Sequence, residues 1–315
     1  MSRKIVFDDQ PGLPFEEWEN PYSDSNTDAE SPGQPPEPLY FCSFGSGSSG
    51  NSCYIGSAAG GIIVDVGVRV EEIEAGLASN GVNMRHVKAI LLTHDHSDHV
   101  KYVYSMLRNN KHIKLFCSNR VLNGLLRKHS ISRRIKEYHV PVFKEIPFKI
   151  LDFEITAFDV PHDGTDNMGF SIDFRGRRFV VATDLGEVTD RAHYYMSRAS
   201  YLMLEANYDY KMLRMGRYPE YLKARIMSGH GHLDNCQTAA ILAEIVNPAM
   251  SHVFLCHLSQ DNNTPQIALR VVRESLEARG LKVGNAADTF EDLKADVQLA
   301  VLPRFGMTRW FVFRD

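Results

Sequence analysis

Val87-Lys88-Ala89-Ile90-Leu91-Leu92-Thr93-His94-Asp95-His96-Ser97-Asp98-His99 is the stretch that decides the fold. Its first seven residues have the length and apolar character of a buried strand. The next six hold three histidines and two aspartates. A buried strand that stops at such residues delivers polar groups to one rim of a sheet. Imidazole nitrogens and carboxylate oxygens are the donors a borderline divalent cation prefers. His94 and His96, two positions apart, suit two nitrogens on one cation. Asp98 and His99 aim the following turn at a second position. A lone HxH pair occurs by chance, but the full HxHxDH pattern argues against scattered loop histidines.

The 315 residues suffice for one large domain with its own core. A hydrophobic fraction of 43% and a charged fraction of 23% are those of a soluble globular protein. No apolar run approaches the roughly 20 residues that span a membrane. The polar N-terminus is unlike a secretory signal peptide. Five cysteines without a CxxC pair argue for free thiols in a reducing cytoplasm and against a zinc ribbon.

A net charge of -4 hides a strong asymmetry. Residues 1–38 carry nine acidic and two basic side chains, a balance of -7, and the rest of the chain is +3. Residues 101–136 carry ten Lys or Arg and no Asp or Glu. A one-sign run beginning two residues after the histidine motif points to a polyanionic substrate.

Residues 1–38 read as an acidic, proline-rich, mostly irregular arm, with Phe15 and Trp18 as local anchors. Residues 39–315 read as one domain without repeats. Strands are expected at Leu39 to Phe44 and Ser52 to Gly56, flanking the loop Gly45-Ser46-Gly47-Ser48-Ser49-Gly50-Asn51. That loop is either a wide hairpin turn or a backbone N–H cradle for an anion; it lacks the Gly-Lys-Ser/Thr of a Walker A loop. Ile62 to Gly67 is a third strand. Val70 to Ser79 has helical spacing and stops at Asn80-Gly81. A single helix is expected from Asp98 to Asn109, its N-terminus favouring the Asp98 carboxylate. Further strands are expected at Lys114 to Cys117, Phe153 to Asp159, Gly169 to Phe174, Phe179 to Thr183 and Tyr201 to Glu205, with a helix at Asn119 to His129. Periodicity alone specifies an α/β or α+β protein.

The HxHxDH motif resembles the central motif of the metallo-β-lactamase superfamily, and the likeness runs from about Leu39 onward. It implies a four-layer αββα sandwich with two mixed β-sheets and metals at one open edge. It also implies a ligand set. His94, His96 and His162, the last from Val160-Pro161-His162, hold one metal. Asp98, His99 and His257, the last from Cys256-His257-Leu258-Ser259, hold the other. Asp184, at the end of Val180-Val181-Ala182-Thr183, bridges the two, and Asp65 supports the histidine loop from behind. Two divalent ions are expected, Zn²⁺ first and Mn²⁺ as the other fit to these donors. True β-lactamases of this fold carry a Cys where Asp184 stands, and flavodiiron relatives have HxExD, so dinuclear hydrolase is the remaining class.

The interval from Asp184 to His257 is too short for the extra domain of the large superfamily nucleases. Its Gly231-His232-Leu233-Asp234-Asn235 segment resembles the short histidine motif of tRNase Z-like phosphodiesterases. That resemblance gives His232 the role of protonating the leaving oxygen, with His230 a bystander. Together with Ser43 to Ser52, Glu205-Ala206-Asn207-Tyr208-Asp209 and His257-Leu258-Ser259-x-x-Asn262-Asn263, it resembles the YycJ/WalJ branch of cytoplasmic DNA exonucleases. The chain departs from that branch at Asp234, where Ser is expected, and in its acidic arm. The implied activity is phosphodiester hydrolysis of DNA, favoured over RNA, by a hydroxide shared between the metals, with Asp98 orienting it. The basic segment and Lys211, Arg214 and Arg217 would track the phosphate backbone. The alternatives are a small-molecule hydrolase acting on a thioester, lactone or cyclic phosphate at the same metals, and a metal-binding adaptor without activity. Oligomeric state is left open.

Overall fold

The computed structural model describes residues 36–288, 292 and 294–314. The expected acidic arm, apart from residues 36–38, lies outside the described residues, as do its anchors Phe15 and Trp18. The first sheet contains β1 (Leu39–Gly45), β2 (Ser52–Ser57), β3 (Gly60–Val64), β4 (Val87–Leu91), β5 (Lys114–Cys117) and β6 (His139–Pro141). The second contains β7 (Phe148–Ile150), β8 (Phe153–Asp159), β9 (Met168–Phe174), β10 (Arg177–Ala182), β11 (Tyr201–Glu205), β12 (His252–Cys256), β13 (Val283–Asn285) and β14 (Val297–Val301). The last strand, β15 (Phe311–Phe313), returns to the first sheet, whose order is β15-β1-β2-β3-β4-β5-β6. The second sheet runs β13-β14-β12-β11-β10-β9-β8-β7. Both mix parallel and antiparallel pairs. This is the expected sandwich of two mixed sheets.

Strand composition follows from burial on both faces. In β10, Phe179 and Val181 join the core shared with the first sheet, whereas Val180 and Ala182 join the core beneath the outer helices. Strand β12 repeats this with Phe254 and Cys256 inward and Val253 and Leu255 outward. Phe41 of β1 fastens the sheets together. Its ring lies 4.8 Å from Phe179, 4.7 Å from Phe254 and 5.8 Å from Phe311.

The helices are α1 (Val70–Ser79), α2 (Ser97–Val100), α3 (Val103–Asn109), α4 (Asn119–Lys128), α5 (Asp190–Met196), α6 (Tyr210–Met215), α7 (Glu220–Ile226), α8 (Asn235–Ile245) and α9 (Pro265–Glu277). Val70, Ile73 and Leu77 of α1 belong to the core of the first sheet; Ala239 and Leu242 of α8 and Ala268, Val272 and Leu276 of α9 belong to that of the second. Local chemistry sets several starts. Ser118 accepts from Val121 N at α4, and Thr264 accepts from Ile267 N at α9, where Pro265 takes the first turn.

The single helix expected from Asp98 to Asn109 is instead α2 and α3. The bond that would continue it, from Tyr102 N to Asp98 O, is replaced. Tyr102 N donates to Val66 O at 2.9 Å, and Asp98 O accepts from Asn51 N at 2.8 Å. The break thus clamps the histidine motif to the ends of β2 and β3. Gly67 sits inside this clamp, where a Cβ would come within 1.6 Å of Asp98 O.

Candidate metal centre

Strand direction gathers the polar residues at one edge. Strands β10, β11 and β12 are parallel, so their C-terminal ends place Asp184, Glu205 and His257 side by side. Strand β8 runs the same way and leads to His162; β3 and β4 are parallel and lead to Asp65 and His94. Open α/β sheets place their sites at such strand ends. Three of these residues leave the strand in a left-handed conformation: Asp65 at φ 58°, Asp184 at 53° and His257 at 54°. Non-glycine residues adopt it at a cost that surrounding structure must offset, and that pattern clusters at functional sites.

The geometry resolves into groups whose potential ligand atoms lie within 4.8 Å of one another. One is His94, His96 and His162; another is Asp98, His99 and His257; a third joins His94 and His99 to Asp184. Asp184 therefore stands between the two sets, with Oδ2 3.2 Å from His99 Nε2 and Oδ1 3.2 Å from His257 Nδ1. All seven residues singled out in the sequence as ligands converge here.

Hydrogen bonds fix the rings. His162 Nδ1 donates to the Gly231 carbonyl at 2.9 Å, turning Nε2 towards His96 Nδ1 at 3.3 Å. His99 Nδ1 donates to Asp65 Oδ2 at 2.7 Å, which turns Nε2 towards the site. Asp65 also accepts from Thr93 N at 2.9 Å and Thr93 Oγ1 at 2.8 Å, so it holds the motif at both ends, as the sequence suggested. Carboxylates that orient ligating histidines in this way raise ligand basicity. The Nε2 of His94 is buried and, among the described residues, has no hydrogen-bond partner.

The pocket's electrostatics also fit a cation. Burial alone would lower the pKa of His99 and His257. Asp184 and the other carboxylates reverse this, holding His99 well above the histidine range and His257 at about 10. Burial opposes ionisation of Asp98, yet His99 and His257 bring it down to about 2. Four carboxylates, from Asp65, Asp98, Asp184 and Glu205, thus face the same small set of imidazoles. An orphaned nitrogen lone pair among paired carboxylates is what a divalent cation satisfies.

Glu205, in the Glu205-Ala206-Asn207-Tyr208-Asp209 segment, is a further residue of the site beyond the seven expected ligands. It is fully buried. Oε1 accepts from His232 Nδ1 at 2.7 Å and from His257 Nδ1 at 2.9 Å; Oε2 accepts from Leu185 N at 3.1 Å and Leu233 N at 3.2 Å. The signal was present, because Tyr201-Leu202-Met203-Leu204-Glu205 is another apolar strand ending in a carboxylate. His232 reaches the site and His230 is exposed. Burial acts to lower the His232 pKa, and Glu205 outweighs it, so the imidazolium is favoured.

The departure at Asp234 has a local cause. Asp234 caps α8, accepting from Gln237 N at 2.8 Å while Gln237 Oε1 accepts from Asp234 N at 2.9 Å. Serine and aspartate serve equally as N-caps. Four amides of the Gly/Ser loop are engaged within the protein. Amides of Ser46, Gly47, Gly50 and Asn51 all have protein acceptors, and Asn51 Nδ2 reaches Asp98 Oδ2 at 3.1 Å and His99 Nε2 at 2.9 Å.

The groups open on a cleft of about 260 Å³ lined also by Ser48, Asp163, Tyr218 and Arg225. Residues 69–258 match the model of the β-lactamase superfamily domain. The chain is 32% identical over 254 residues to exodeoxyribonuclease YycJ of Bacillus anthracis, covering 79% of this chain and 93% of that one. It is 30% identical over 240 residues to exodeoxyribonuclease WalJ of Streptococcus pneumoniae, covering 76% and 88%. Its fold is similar to that of the metallo-β-lactamase fold protein YhfI from Bacillus subtilis, with a TM-score of 0.60 at 13% identity over 88% of this chain and 100% of that one. It is also similar to Zn²⁺-bound PqqB from Methylobacterium extorquens, with a TM-score of 0.60 at 17% identity over 85% and 99%. The strand-end donor groups and these likenesses agree: the chain belongs to the metallo-β-lactamase superfamily and is a hydrolase of that fold.

Proposed function

We propose that this hydrolase is a two-metal exonuclease acting on DNA. The observation that carries the reading is the convergence of two donor sets around Asp184 beside a Glu205–His232 pair, in a chain whose 30–32% identical relatives bear the name exodeoxyribonuclease. His94, His96 and His162 would hold one divalent ion and Asp98, His99 and His257 the other, with Asp184 between them. Zn²⁺ is the first choice and Mn²⁺ the second, since the donors are imidazole and carboxylate only. Such ions, when bound, supply Lewis acidity and bring the pKa of a water towards neutrality.

The chain's own groups do the rest. Asp98 offers a carboxylate oxygen at the rim of the cleft to orient the attacking water. His232, with Nδ1 bound to Glu205, turns its other nitrogen towards the cleft and gives a proton to the departing oxygen. The Arg225 guanidinium, held 2.5 Å from Asp163, stands at the same mouth to offset phosphoryl charge. Residues 39–315 form the catalytic domain. The five cysteines are all free and, among the described residues, no helix is long and apolar enough to cross a membrane; a cytoplasmic location fits the thiols.

The test is cleavage of a 5′-labelled DNA duplex by the full chain loaded with Zn²⁺ or Mn²⁺, beside Asp184→Ala. Stepwise shortening that the variant loses, together with a metal, is expected. Full activity in the variant refutes the site. Failure on DNA with turnover of a thioester or cyclic phosphate refutes the nuclease assignment and leaves the site.

A further inference from the structure

A second concavity lies next to the metal cleft, not within it. It measures about 570 Å³ and is lined by Arg120, Asn123, Arg127, Arg133, Lys136 and Thr165. Arg120 and Arg127 come from α4; Arg133 and Lys136 come from the 3₁₀ turn Arg133–Tyr138 that follows it. No acidic residue lines the cavity, and among the described residues none of these four cations has an ion-pair or side-chain hydrogen-bond partner.

Three other cations of the basic run have partners. Lys128 is 3.1 Å from Asp95, and Arg134 is 3.2 Å from Glu137. Lys101 lies over the Tyr102 ring. Four like charges converging on one concavity without counter-charge repel one another, and a polyanion relieves that repulsion.

The cavity's place is fixed by Asp95, the residue between the first two motif histidines. Asp95 is fully buried. Oδ2 accepts from Thr165 Oγ1 at 2.5 Å and Oδ1 from Thr165 N at 3.0 Å; Lys128 of α4 donates to Oδ1 at 3.1 Å. Helix α4 approaches so closely at Gly124 that a Cβ there would be 1.9 Å from Asp95 Oδ2. One short segment separates the two concavities: Asp163 lines the metal cleft and Thr165 the basic cavity. Two residues of chain span at most about 7 Å.

Resting on the phosphodiesterase reading, we propose that this cavity is a phosphate subsite, holding the nucleic-acid strand within a few nucleotides of the scissile bond. It contacts phosphate and not base edges, so it adds affinity and register without sequence preference. The phosphate held is either an internal diester or a terminal 5′ monoester, the two sources of the same chemistry.

The experiment is binding of the metal-loaded full chain to a labelled phosphorothioate single-stranded 12-mer, with and without a 5′-phosphate, across a salt series. Phosphorothioate links slow cleavage and keep the charge. The Arg127→Gln/Arg133→Gln variant is compared with wild type and with Arg85→Gln/Arg270→Gln, which removes two charges elsewhere. Each lost single-strand phosphate contact lowers the slope of log affinity against log salt by about 0.7, so the cavity variant should lose about 1.4 and bind about tenfold more weakly at 0.15 M salt. The remote variant should keep the wild-type slope, and Arg127→Lys/Arg133→Lys should recover most of the affinity. Loss with both oligonucleotides identifies an internal phosphate; loss confined to the phosphorylated one identifies the terminal group. An unchanged slope in the cavity variant, or an equal fall in the remote one, overturns the subsite. Unmodified oligonucleotide is assayed for cleavage in parallel. If wild type fails to shorten it while the slope difference persists, the nuclease reading falls and the phosphate subsite stands.

Discussion

Glu205→Gln is the substitution that best isolates what holds the site. The carboxylate accepts four N–H donors, two on each oxygen: His232 and His257 on one, Leu185 and Leu233 on the other. Glutamine has one acceptor oxygen and one donor nitrogen. Whichever way the amide turns, two buried N–H groups face an NH₂ in place of an oxygen. Each buried donor left unsatisfied costs about 1–3 kcal/mol, so the variant should lose about 2–6 kcal/mol of stability. That is a large share of the roughly 5–15 kcal/mol of a typical domain. The same change removes the carboxylate that favours the His232 imidazolium, so kcat should fall about 10²–10⁴-fold, the usual worth of a general acid. Urea unfolding at fixed metal concentration gives the first number and steady-state cleavage of DNA the second. Glu205→Asp, which keeps the charge, separates charge from geometry. A folded Glu205→Gln enzyme with kcat within twofold of wild type would refute the assignment of His232 and of Glu205 as its positioning residue.

Asp65→Asn should weaken metal affinity about 10–100-fold with little change in the fold, read by competition with a chromophoric chelator, because the oriented His99 Nε2 depends on that carboxylate. Phe41→Ala should cost about 3–5 kcal/mol in urea unfolding, since its ring is the meeting point of both sheets. One thiol should react with DTNB in the native protein and five in urea, because Cys42, Cys53, Cys117 and Cys256 are buried and Cys236 is exposed. Burial, then Asp234 and Asp209, raises the Cys236 pKa above its ordinary value of 9.0, so its reaction should still be accelerating as pH rises past 9.

Strand-then-ligand patterns were legible because β4, β10 and β12 are buried on both faces and end abruptly in His94, Asp184 and His257. Burial forces an apolar run, and the polar residue that breaks it must have a reason. The ring orientations were not legible, because they depend on Asp65 and the Gly231 carbonyl, distant in sequence from His99 and His162. The interruption between α2 and α3 was hidden for the same cause: it is made by Asn51 and Val66, neither of which enters the helical pattern of 98–109. The basic run was visible as composition. Its division into a cavity, a brace on Asp95 and surface pairs required the fold.

Strand β15 has a consequence in time. It pairs Leu39 with Phe313, so the first sheet is finished by a segment made about 270 residues later, an interval of roughly a quarter of a minute to a minute at about 5–20 residues per second of synthesis. Until then β1 presents an open row of N–H and C=O groups, and Phe41 lacks its neighbour Phe311. Every residue of the donor set, from His94 to His257, is already out of the ribosome during the last part of that interval. The nascent chain therefore holds all the proposed metal donors before the open edge of its first sheet is covered, and a cation bound early would brace the strand ends while β1 still waits for its closing strand.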